Sequence, residues 1–394
     1  MKYLISCVFM VVFSMFPLLL QADTTVQWVN AHKSNGIGYG DLNAYYPQLY
    51  FDVDPTAFDF NNVEMVIQGE YSKVRYFSFN AYDWQGRFIS GIHDALIEPD
   101  NGSINPFEPW ADWNASNRNY TVIVRFHDKP VSGPEPNTIY VGRDSNNNPN
   151  PLARIAYRVY LPSDGEPVGR DMYKPQVFFR NISTQATIDV PNIFYDSQRE
   201  AGFSAEPNEP LIADTSECES ASGNSLTWSR SPNAALHSEN PDTVYIFARF
   251  RRCLGKVLLV RFKAPVTPET YYNIGISGDE DMRYWSMSIN GKIIRTKLSL
   301  ADEGPGGFVI ANDGYANLVL GWGRRPAAAV PENGYTWVDL SEFTFFEYDA
   351  LVLRHMLPHP GFAFSAREVP AGELVGDLMG EYLPIGSYVR ANQL

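Results

Sequence analysis

A strand-like pentapeptide occurs twice in this chain with the same order of residue types. Residues 75–79 read Arg-Tyr-Phe-Ser-Phe, and residues 283–287 read Arg-Tyr-Trp-Ser-Met. Because successive side chains of a strand point to opposite faces, each copy predicts one apolar face and one polar, aromatic face. Apolar segments precede both copies, and glycine-containing turns follow them. The sequence therefore predicts two related β-domains, and a chance likeness between aromatic-rich strands is the alternative.

The composition of the whole chain favours β-structure with many turns. Aromatic residues make up 14% of it, and 28 prolines and 29 glycines interrupt the apolar runs. Short runs of aromatic and β-branched residues that are bounded by turn residues are typical of strands. We expect strands near residues 63–68, 120–126, 155–161 and 243–249, among others. The fold class that these patterns indicate is all-β.

A polar stretch divides the chain into two parts. Residues 191–240 are rich in Ser, Glu, Pro and Asn, which is the composition of a linker. We therefore expect an N-terminal β-domain at residues 23–190 and a C-terminal β-domain at residues 241–394.

The C-terminal tail shows a helical pattern instead. Between Pro370 and Tyr382, one helical face collects the apolar residues Leu374, Val375, Leu378, Met379 and Tyr382. A proline suits the first turn of a helix, and the following Pro384 and Gly386 would end it. The pattern predicts a short terminal helix that docks on the second domain.

The first 22 residues predict export. Lys2 is followed by an uncharged apolar run from Leu4 to Leu20, and Ala22 is a small residue at the cleavage position. This arrangement is typical of a secretory signal peptide, with an uncleaved N-terminal anchor as the alternative. No later apolar run is long enough to span a bilayer. The sequence thus predicts a periplasmic or secreted protein with no transmembrane segment in the mature chain.

Charge and cysteine content limit which partners, disulfides and metal sites the mature chain can have. The formal net charge of −14 repels phosphate backbones, so no nucleic-acid partner is expected. Cys7 leaves with the signal, and Cys218 and Cys253 then favour one disulfide in an oxidising compartment, with two free thiols as the alternative. His355 and His359 have a zinc spacing only on a helix, which Pro358 opposes. We expect no metal site and no cofactor.

The candidate ligand-binding residues are three side chains on the polar face of the pentapeptide strands and the two pentapeptide arginines, which share the parity of the apolar residues. They are Arg75, Tyr76, Asn80, Arg283 and Tyr284. Such a face suits a small polar ligand or a glycan, either on the strands or in a cleft between domains. Plain solvent exposure explains it as well. Both arginines stand at strand starts, where a guanidinium can reach the rim and meet a carboxylate.

Four residues are the candidate catalytic groups, namely Asp83, His93, Asp94 and Asp242. A pair of carboxylates or an acid–imidazole pair can serve as general acid and base when a cleft holds both groups. Strand alternation would place His93 and Asp94 on opposite faces, which weakens the pair. A solvated strand and turn is the alternative for this segment.

Several segments resemble a known group of exported proteins. The similar segments are RYWSMSINGK (283–292), NPDTVYIFARF (240–250), YFSFNAYDWQGR (76–87), IEPDNGSINPF (97–107), IAYRVYLP (155–162), LVLRHMLPHPGF (351–362) and MGEYLP (379–384). They are similar to secreted bacterial and fungal proteins built from paired domains of unknown function, numbered twelve fifty-four and twelve fourteen. The resemblance implies two antiparallel β-sandwich, jelly-roll-like domains without an established activity. Here Pro241 separates Asn240 from Asp242, whereas the family pattern has the two residue types adjacent.

Three functions remain open from the sequence. The leading hypothesis is an envelope or secreted protein that binds an unidentified small polar ligand or glycan. The alternative is an exported enzyme that acts on a carbohydrate or another small polar substrate. A structural protein that assembles into a homo-oligomer is the third interpretation.

Overall fold

The computed structural model describes residues 28–29, 40–50, 61–83, 85–142, 154–168, 171–188, 225–231, 238–251, 254, 257–291, 296–341 and 349–394. The signal peptide predicted at residues 1–22, most of the predicted linker, and both Cys218 and Cys253 lie outside the described residues. Cleavage of the signal and the disulfide therefore stay predictions.

The described chain is mostly β-structure with antiparallel and mixed sheets, which confirms the all-β fold class. Its first half forms two sheets. Sheet I contains β1 (Ala44–Tyr45), β2 (Gln48–Tyr50), β4 (Val74–Tyr82), β5 (Phe88–His93) and β8 (Arg154–Pro162). Sheet II contains β3 (Val63–Glu70), β6 (Asn119–Arg125), β7 (Thr138–Tyr140), β9 (Gln176–Asn181) and β10 (Thr187–Ile188).

The second half forms two further sheets. Sheet III contains β11 (Trp228–Arg230), β12 (Thr243–Phe250), β14 (Met282–Asn290), β15 (Thr296–Ala301) and β18 (Asp349–Pro358). Sheet IV contains β13 (Val257–Lys263), β16 (Tyr315–Gly321), β17 (Tyr335–Asp339) and β19 (Ile385–Val389). Short 3-10 helices include Asp94–Leu96, Thr270–Tyr272, Pro331–Asn333, Ala366–Glu368, Gly380–Tyr382 and Ala391–Gln393. Within the described ranges, no helix has the length and apolar character that a membrane span requires.

The strands of the two halves are ordered in the same way. In sheet I the order is β1-β8-β4-β5, and in sheet III it is β11-β12-β18-β14-β15. Sheet II has the order β7-β6-β3-β9-β10, and sheet IV has the order β17-β16-β13-β19. Both halves also place a parallel pair at the same point, β6 with β7 and β16 with β17. The topology of β3 to β9 thus recurs in β13 to β19.

Each pair of sheets shares an apolar core. Phe77 and Phe79 lie in the core between sheets I and II, and Trp285 and Met287 lie in the core between sheets III and IV. These are the residues that strand alternation assigns to the apolar face of each pentapeptide. Burying one large apolar side chain stabilises a fold by roughly 1.5–3 kcal/mol. Each half therefore has an apolar core of its own.

The helix predicted in the C-terminal tail does not form. Residues 370–382 fold as successive turns that end in a 3-10 helix. Val375 and Met379 are buried in the second core, but Leu374 and Leu378 are exposed. The physical reason is a run of glycines with φ angles of 82°, 54° and 51°, namely Gly372, Gly376 and Gly380. Backbone in the left-handed region ends a right-handed turn each time.

His355 is buried in its neutral form on β18. Its Nδ1 accepts the backbone N–H of Ala366 at 3.1 Å, and its Nε2 is buried without a protein partner among the described residues. Burial lowers the pKa of His355 from 6.5 to about 3. His359 lies in the exposed turn after the strand, where its Nδ1 accepts the N–H of Gly361 at 3.0 Å.

We expect His355 to make the fold acid-sensitive. Its pKa is depressed in the folded state, so the unfolded chain binds the proton first and stability falls as pH drops below 6.5. Between pH 6.5 and 4.5 this residue should cost about 2–3 kcal/mol. Urea unfolding at several pH values should show that slope in the parent chain and lose it in His355→Asn. The control His359→Asn, at an exposed histidine, should keep the slope, and an unchanged slope in His355→Asn would contradict the assignment.

Candidate functional site

The polar faces of β4 and β14 are buried between sheets I and III, and we call this contact the interface. Tyr76 and Tyr284 are fully buried there. The ring of Tyr160 lies between them, with its centroid 5.6 Å from that of Tyr76 and 5.7 Å from that of Tyr284. Solvent exposure of these faces, which the sequence left open, is therefore wrong. The five predicted ligand-binding residues do gather in one place, but protein covers them.

The arginine of each pentapeptide crosses the interface to carboxylates of the other half. Arg75, at the start of β4, forms ion pairs with Asp302 and Glu303, which follow β15. Arg283, at the start of β14, donates from Nη1 to Asp94 Oδ1 at 2.9 Å, directly after β5. The pairs Arg75–Asp302 and Arg283–Asp94 thus occupy matching positions in the two halves.

Arg75 is the more deeply buried of the two arginines. Its Nε donates to Thr270 Oγ1 at 2.8 Å, and its Nη1 also donates to the backbone carbonyl of Arg283 at 3.3 Å. Burial lowers the pKa of Arg75, but Asp302 and Glu303 raise it by more, so the pKa lies above its ordinary value. The guanidinium is saturated by protein groups, and its role is to join the halves.

Asp41 brings a buried carboxylate onto sheet III. Its Oδ2 accepts the hydroxyls of Tyr284 at 2.8 Å and Ser286 at 2.7 Å, and it forms an ion pair with Arg354. Its Oδ1 accepts the backbone N–H of Asn43 at 2.8 Å. Burial raises the pKa of Tyr284 well above its usual value, and the Asp41 charge raises it further. A carboxylate from the first half therefore sits in a ready-made set of donors on the second half.

Asn240 occupies the corresponding turn in the second half. The N–H of Asp242 donates to Asn240 Oδ1 at 3.2 Å, as that of Asn43 does to Asp41. The carbonyls of Asn43 and Asp242 then accept the N–H groups of Leu161 and Leu357, at 3.0 Å and 2.9 Å. Asn240 also reaches across the interface, since its Nδ2 donates to the Tyr76 hydroxyl at 3.1 Å. The two turns are equivalent, but one presents a carboxylate and the other an amide.

Arg158, Ser78 and His93 form a row across β8, β4 and β5. Ser78 is paired in register with Arg158 on one side and with His93 on the other, so the three side chains share one face of sheet I. We call this set the first-half row. Its counterpart, the second-half row, consists of Arg354, Ser286 and Ala301.

The first-half row contains polar atoms that no described protein group satisfies. Ser78 Oγ and His93 Nδ1 are buried without a hydrogen bond. Ser78 Oγ lies beside the Tyr76 hydroxyl and offsets part of the rise in the pKa of Tyr76, but its geometry does not reach that of a hydrogen bond. The Tyr76 hydroxyl itself donates to Asp242 Oδ2 at 2.7 Å and accepts from Asn240 Nδ2 at 3.1 Å. His93 Nδ1 is 3.8 Å from Asp94 Oδ1, which is too long for a hydrogen bond.

Arg158 donates only to neutral oxygens. Its Nε and Nη2 donate to the Tyr82 hydroxyl at 3.0 Å and 2.7 Å, and its Nη2 also donates to the carbonyl of Ser238. The amide oxygen of Asn80 accepts from Nε at 3.2 Å in its better orientation. The rings of Tyr46 and Tyr82 flank the guanidinium, with centroids 5.2 Å and 5.6 Å from Cζ. Among the described residues no carboxylate pairs with Arg158.

The predicted catalytic residues do not form one set. Asp83 lies in the turn between β4 and β5, where it accepts the backbone N–H of Arg87 at 2.9 Å and pairs with its guanidinium at 2.7 Å. His93 and Asp94 stand at the opposite end of β5. Both oxygens of Asp94 are engaged, since Oδ2 accepts the N–H of Phe77 at 2.7 Å and Oδ1 binds Arg283. Three of the four candidates are at the interface, where His93 Nδ1 is buried without a hydrogen-bond partner among the described residues.

The sequence analysis missed Asp41, Arg158 and Arg354, although a signal for the arginines is present. Arg158-Val-Tyr-Leu-Pro162 and Arg354-His-Met-Leu-Pro358 share the pattern Arg-x-x-Leu-Pro. The leucine before each proline has a positive φ, 42° at Leu161 and 44° at Leu357. Such a conformation is rare for leucine, and here it aims each N–H at the equivalent turn of the same half. Aligning the two Arg-x-x-Leu-Pro segments, in addition to the two pentapeptides, would have identified Arg158 and Arg354 as equivalent residues.

Comparison with known proteins gives a likeness of fold. No family model matches the chain, and no curated protein matches it. An uncharacterised protein from Burkholderia cenocepacia has a similar structure, with a TM-score of 0.53 and 14% identity over 92% of this chain and 81% of that chain. A protein from Vibrio parahaemolyticus gives a TM-score of 0.41 and 12% identity over 88% of this chain and 89% of that chain. The Burkholderia likeness is one of fold alone.

Proposed function

We propose that this chain is an exported binding protein that holds a small polar ligand at the first-half row without transforming it. The observation that carries the proposal is the row itself, in which Arg158, Ser78 and His93 share one face and two buried polar atoms have no protein partner among the described residues. Leaving a buried polar group unsatisfied costs about 1–3 kcal/mol, and nearly all such groups in folded proteins are paired. A ligand that supplies the missing partners regains that free energy.

The wider proposal covers export and architecture. Residues 1–22 have the composition of a signal peptide, and Cys218 with Cys253 would form a disulfide after export. Two β-sandwich domains, related by duplication and similar to the paired domains of unknown function named above, agree with the two cores and the recurring strand order. Jelly-roll-like topology belongs to the same proposal.

Binding is favoured over catalysis by what the acidic groups already hold. Asp83 is saturated by its own turn, and Asp94 is saturated by Phe77 and Arg283. Asp242 accepts the hydroxyl of Tyr76. General acid–base catalysis requires a group that is within reach of the substrate proton, and these carboxylates face protein donors. Turnover of a glycan, a lipid or an ester by the purified chain would refute the non-catalytic assignment.

The serines of the two rows provide a matched test with opposite signs. Ser286→Ala removes a hydroxyl that donates to the Asp41 carboxylate, so it should destabilise the fold by about 1.5–3 kcal/mol. Ser78→Ala removes a buried hydroxyl without a protein partner among the described residues, so it should leave stability unchanged or raise it by about 1 kcal/mol. Urea unfolding of both variants beside the parent chain measures the difference. Equal losses in the two variants would show that Ser78 is satisfied.

The same variants test ligand binding. In a thermal-shift screen of monosaccharides, sugar acids and small organic acids, we expect a ligand that raises the Tm of the parent chain and of Ser286→Ala. Ser78→Ala should lose most of that shift, because its row contacts the ligand. A shift that persists unchanged in Ser78→Ala, or no shift with any compound, would contradict the proposal.

A further inference from the structure

The second-half row shows what a row of this kind holds when it is filled. Arg354 forms an ion pair with the Asp41 carboxylate, and Ser286 donates to the same oxygen, Oδ2, at 2.7 Å. The carboxylate is fully buried. Its ligands come from β14 and β18, whose pairing places Ser286 opposite Arg354. A serine beside an arginine on this face is therefore a carboxylate receptor.

The first-half row has the same serine and arginine, but the turn that corresponds to that of Asp41 has a neutral residue. Ser78 stands opposite Arg158 in the pairing of β4 with β8. The equivalent of Asp41 is Asn240, whose amide carries no charge. Arg158 is only 8% exposed and has no carboxylate partner among the described residues. Burying a guanidinium without a counter-charge costs several kcal/mol, so the row lacks an anion that its twin possesses.

The first-half row also differs by one added donor. Where the second-half row has the methyl group of Ala301, the first-half row has His93. The ring centroid of His93 lies 6.4 Å from that of Tyr76, and the His93 side chain is 15% exposed. His93 is thus the least buried member of the row at its β5 end, although its Nδ1 is buried.

Building on the binding function proposed above, we propose that the first-half row binds the carboxylate of an acidic small molecule. Arg158 supplies the positive charge, and Ser78 and His93 supply hydrogen bonds. The bound carboxylate interacts with Arg158 and Ser78 as the Asp41 carboxylate interacts with Arg354 and Ser286, while the Asn240 amide stays bonded to the Tyr76 hydroxyl. Hydrogen bonds with an ionised partner are roughly twice as strong as neutral ones, which favours an acid over a neutral sugar at this position.

The charged groups around the first-half row determine how strongly it prefers an acid over a neutral ligand. Asp94 is neutralised by Arg283. Asp242 lies on the Tyr76 side, where it accepts the hydroxyl, and its negative charge opposes a second carboxylate nearby. Asp242→Asn should therefore strengthen the binding of an acid. A cationic ligand held by Asp242 would respond in the opposite direction.

A carboxylate introduced by mutation tests the inference without any added ligand. The double variant Asn240→Asp/Asp242→Asn gives the second-half turn the Asp and the Asn of Asp41-Leu-Asn43, with Pro241 kept between them, and leaves the net charge unchanged. Its first change puts a carboxylate at the position equivalent to Asp41. We expect the Tm of the mature chain to rise by about 3 °C or more, because Arg158 and Ser78 gain that carboxylate as a partner. A lower Tm would overturn the assignment.

Matched probes test the ligand class directly. Isothermal titration with glucuronate and glucose, and with acetate and acetamide, compares a carboxylate with a neutral analogue of similar shape. We expect each acid to bind at least tenfold more tightly than its partner, and the double variant to lose acid binding because its own carboxylate fills the row. Ser78→Ala should weaken acid binding, whereas Ser286→Ala should not.

The outcomes separate this inference from the proposed function. Glucose that binds as tightly as glucuronate, with loss in Ser78→Ala, would leave the binding function standing and overturn the carboxylate assignment. Inorganic phosphate that binds more tightly than either acid would overturn the carboxylate assignment in favour of a phosphate site. The absence of binding by every probe, together with a destabilised double variant, would overturn both.

Discussion

Replacing Asp41 by asparagine is expected to lower the free energy of unfolding by about 3–5 kcal/mol. The carboxylate is fully buried and accepts from Tyr284 and Ser286 while it pairs with Arg354. Asparagine has the same shape, so the change removes the charge and little else. The guanidinium of Arg354 then loses this counter-charge inside the interface, and removing one partner of a buried ion pair is far more costly than removing an exposed pair.

Urea unfolding monitored by tryptophan fluorescence measures the effect of Asp41→Asn. Asp313→Asn is the matched control, since Asp313 pairs with Arg261 on the surface at 2.6 Å with both side chains about half exposed. That change should cost less than about 1 kcal/mol. If Asp41→Asn costs no more than the control, the carboxylate does not hold the two halves together.

Asp41→Asn also makes the second-half row resemble the first-half row. Arg354 and Ser286 would then lack a carboxylate partner in this turn, as Arg158 and Ser78 do, since the corresponding residue Asn240 is an amide that contacts Tyr76. The comparison explains why Asp41 was invisible in the sequence. It stands in a polar, glycine-rich segment that has the composition of a surface loop, and only its packing onto sheet III gives it a role.

The strands were predictable because their signals are local. Alternation in residues 75–79 and 283–287 correctly assigned Phe77 and Trp285 to the cores, since an apolar side chain has one favourable place to go. The tail failed for an equally local reason. The spacing of Val375 and Met379 resembles a helix, but the glycines between and around them adopt left-handed backbone that a helix cannot contain.

The interface could not be predicted from the same pattern. The face with Tyr76 and Ser78 has the residues of a solvated strand face, because a hydroxyl group can form its hydrogen bonds with either water or protein. What decides between them is a partner surface about two hundred residues away in the sequence, as for the ion pair of Arg75 with Asp302. Strand position did suggest that Arg75 and Arg283 meet carboxylates, but periodicity within one strand carries no information about which carboxylates.

The second large effect is expected for Arg75→Met. The change leaves Asp302 and Glu303 without the guanidinium that binds them, and the side chain of Asp302 is almost fully buried. We expect a loss of about 3–5 kcal/mol at neutral pH. Arg87→Met is the control, because Arg87 is largely exposed in its pair with Asp83, and it should cost less than about 1 kcal/mol.

The loss in Arg75→Met should shrink in acid. Burial already raises the pKa of Asp302 and of Glu303, and Arg75 counteracts this rise. Without Arg75 both carboxyls bind protons more readily in the folded state than in the unfolded chain. A raised folded pKa makes stability fall as pH rises, and the fall begins at the ordinary carboxyl value near 4. The deficit relative to the parent chain should therefore be largest at pH 7 and smallest near pH 4.

A double-mutant cycle with Asp302→Asn isolates the pair. Removing the charge of Asp302 alone leaves Arg75 with Glu303, whereas removing both Arg75 and Asp302 deletes donor and acceptor together. The double variant should be less destabilised than the sum of the single variants by about 1–3 kcal/mol, as for residues in direct contact. Additive losses, or a deficit in Arg75→Met that is independent of pH, would show that the crossed arginine packs between the halves without an electrostatic role.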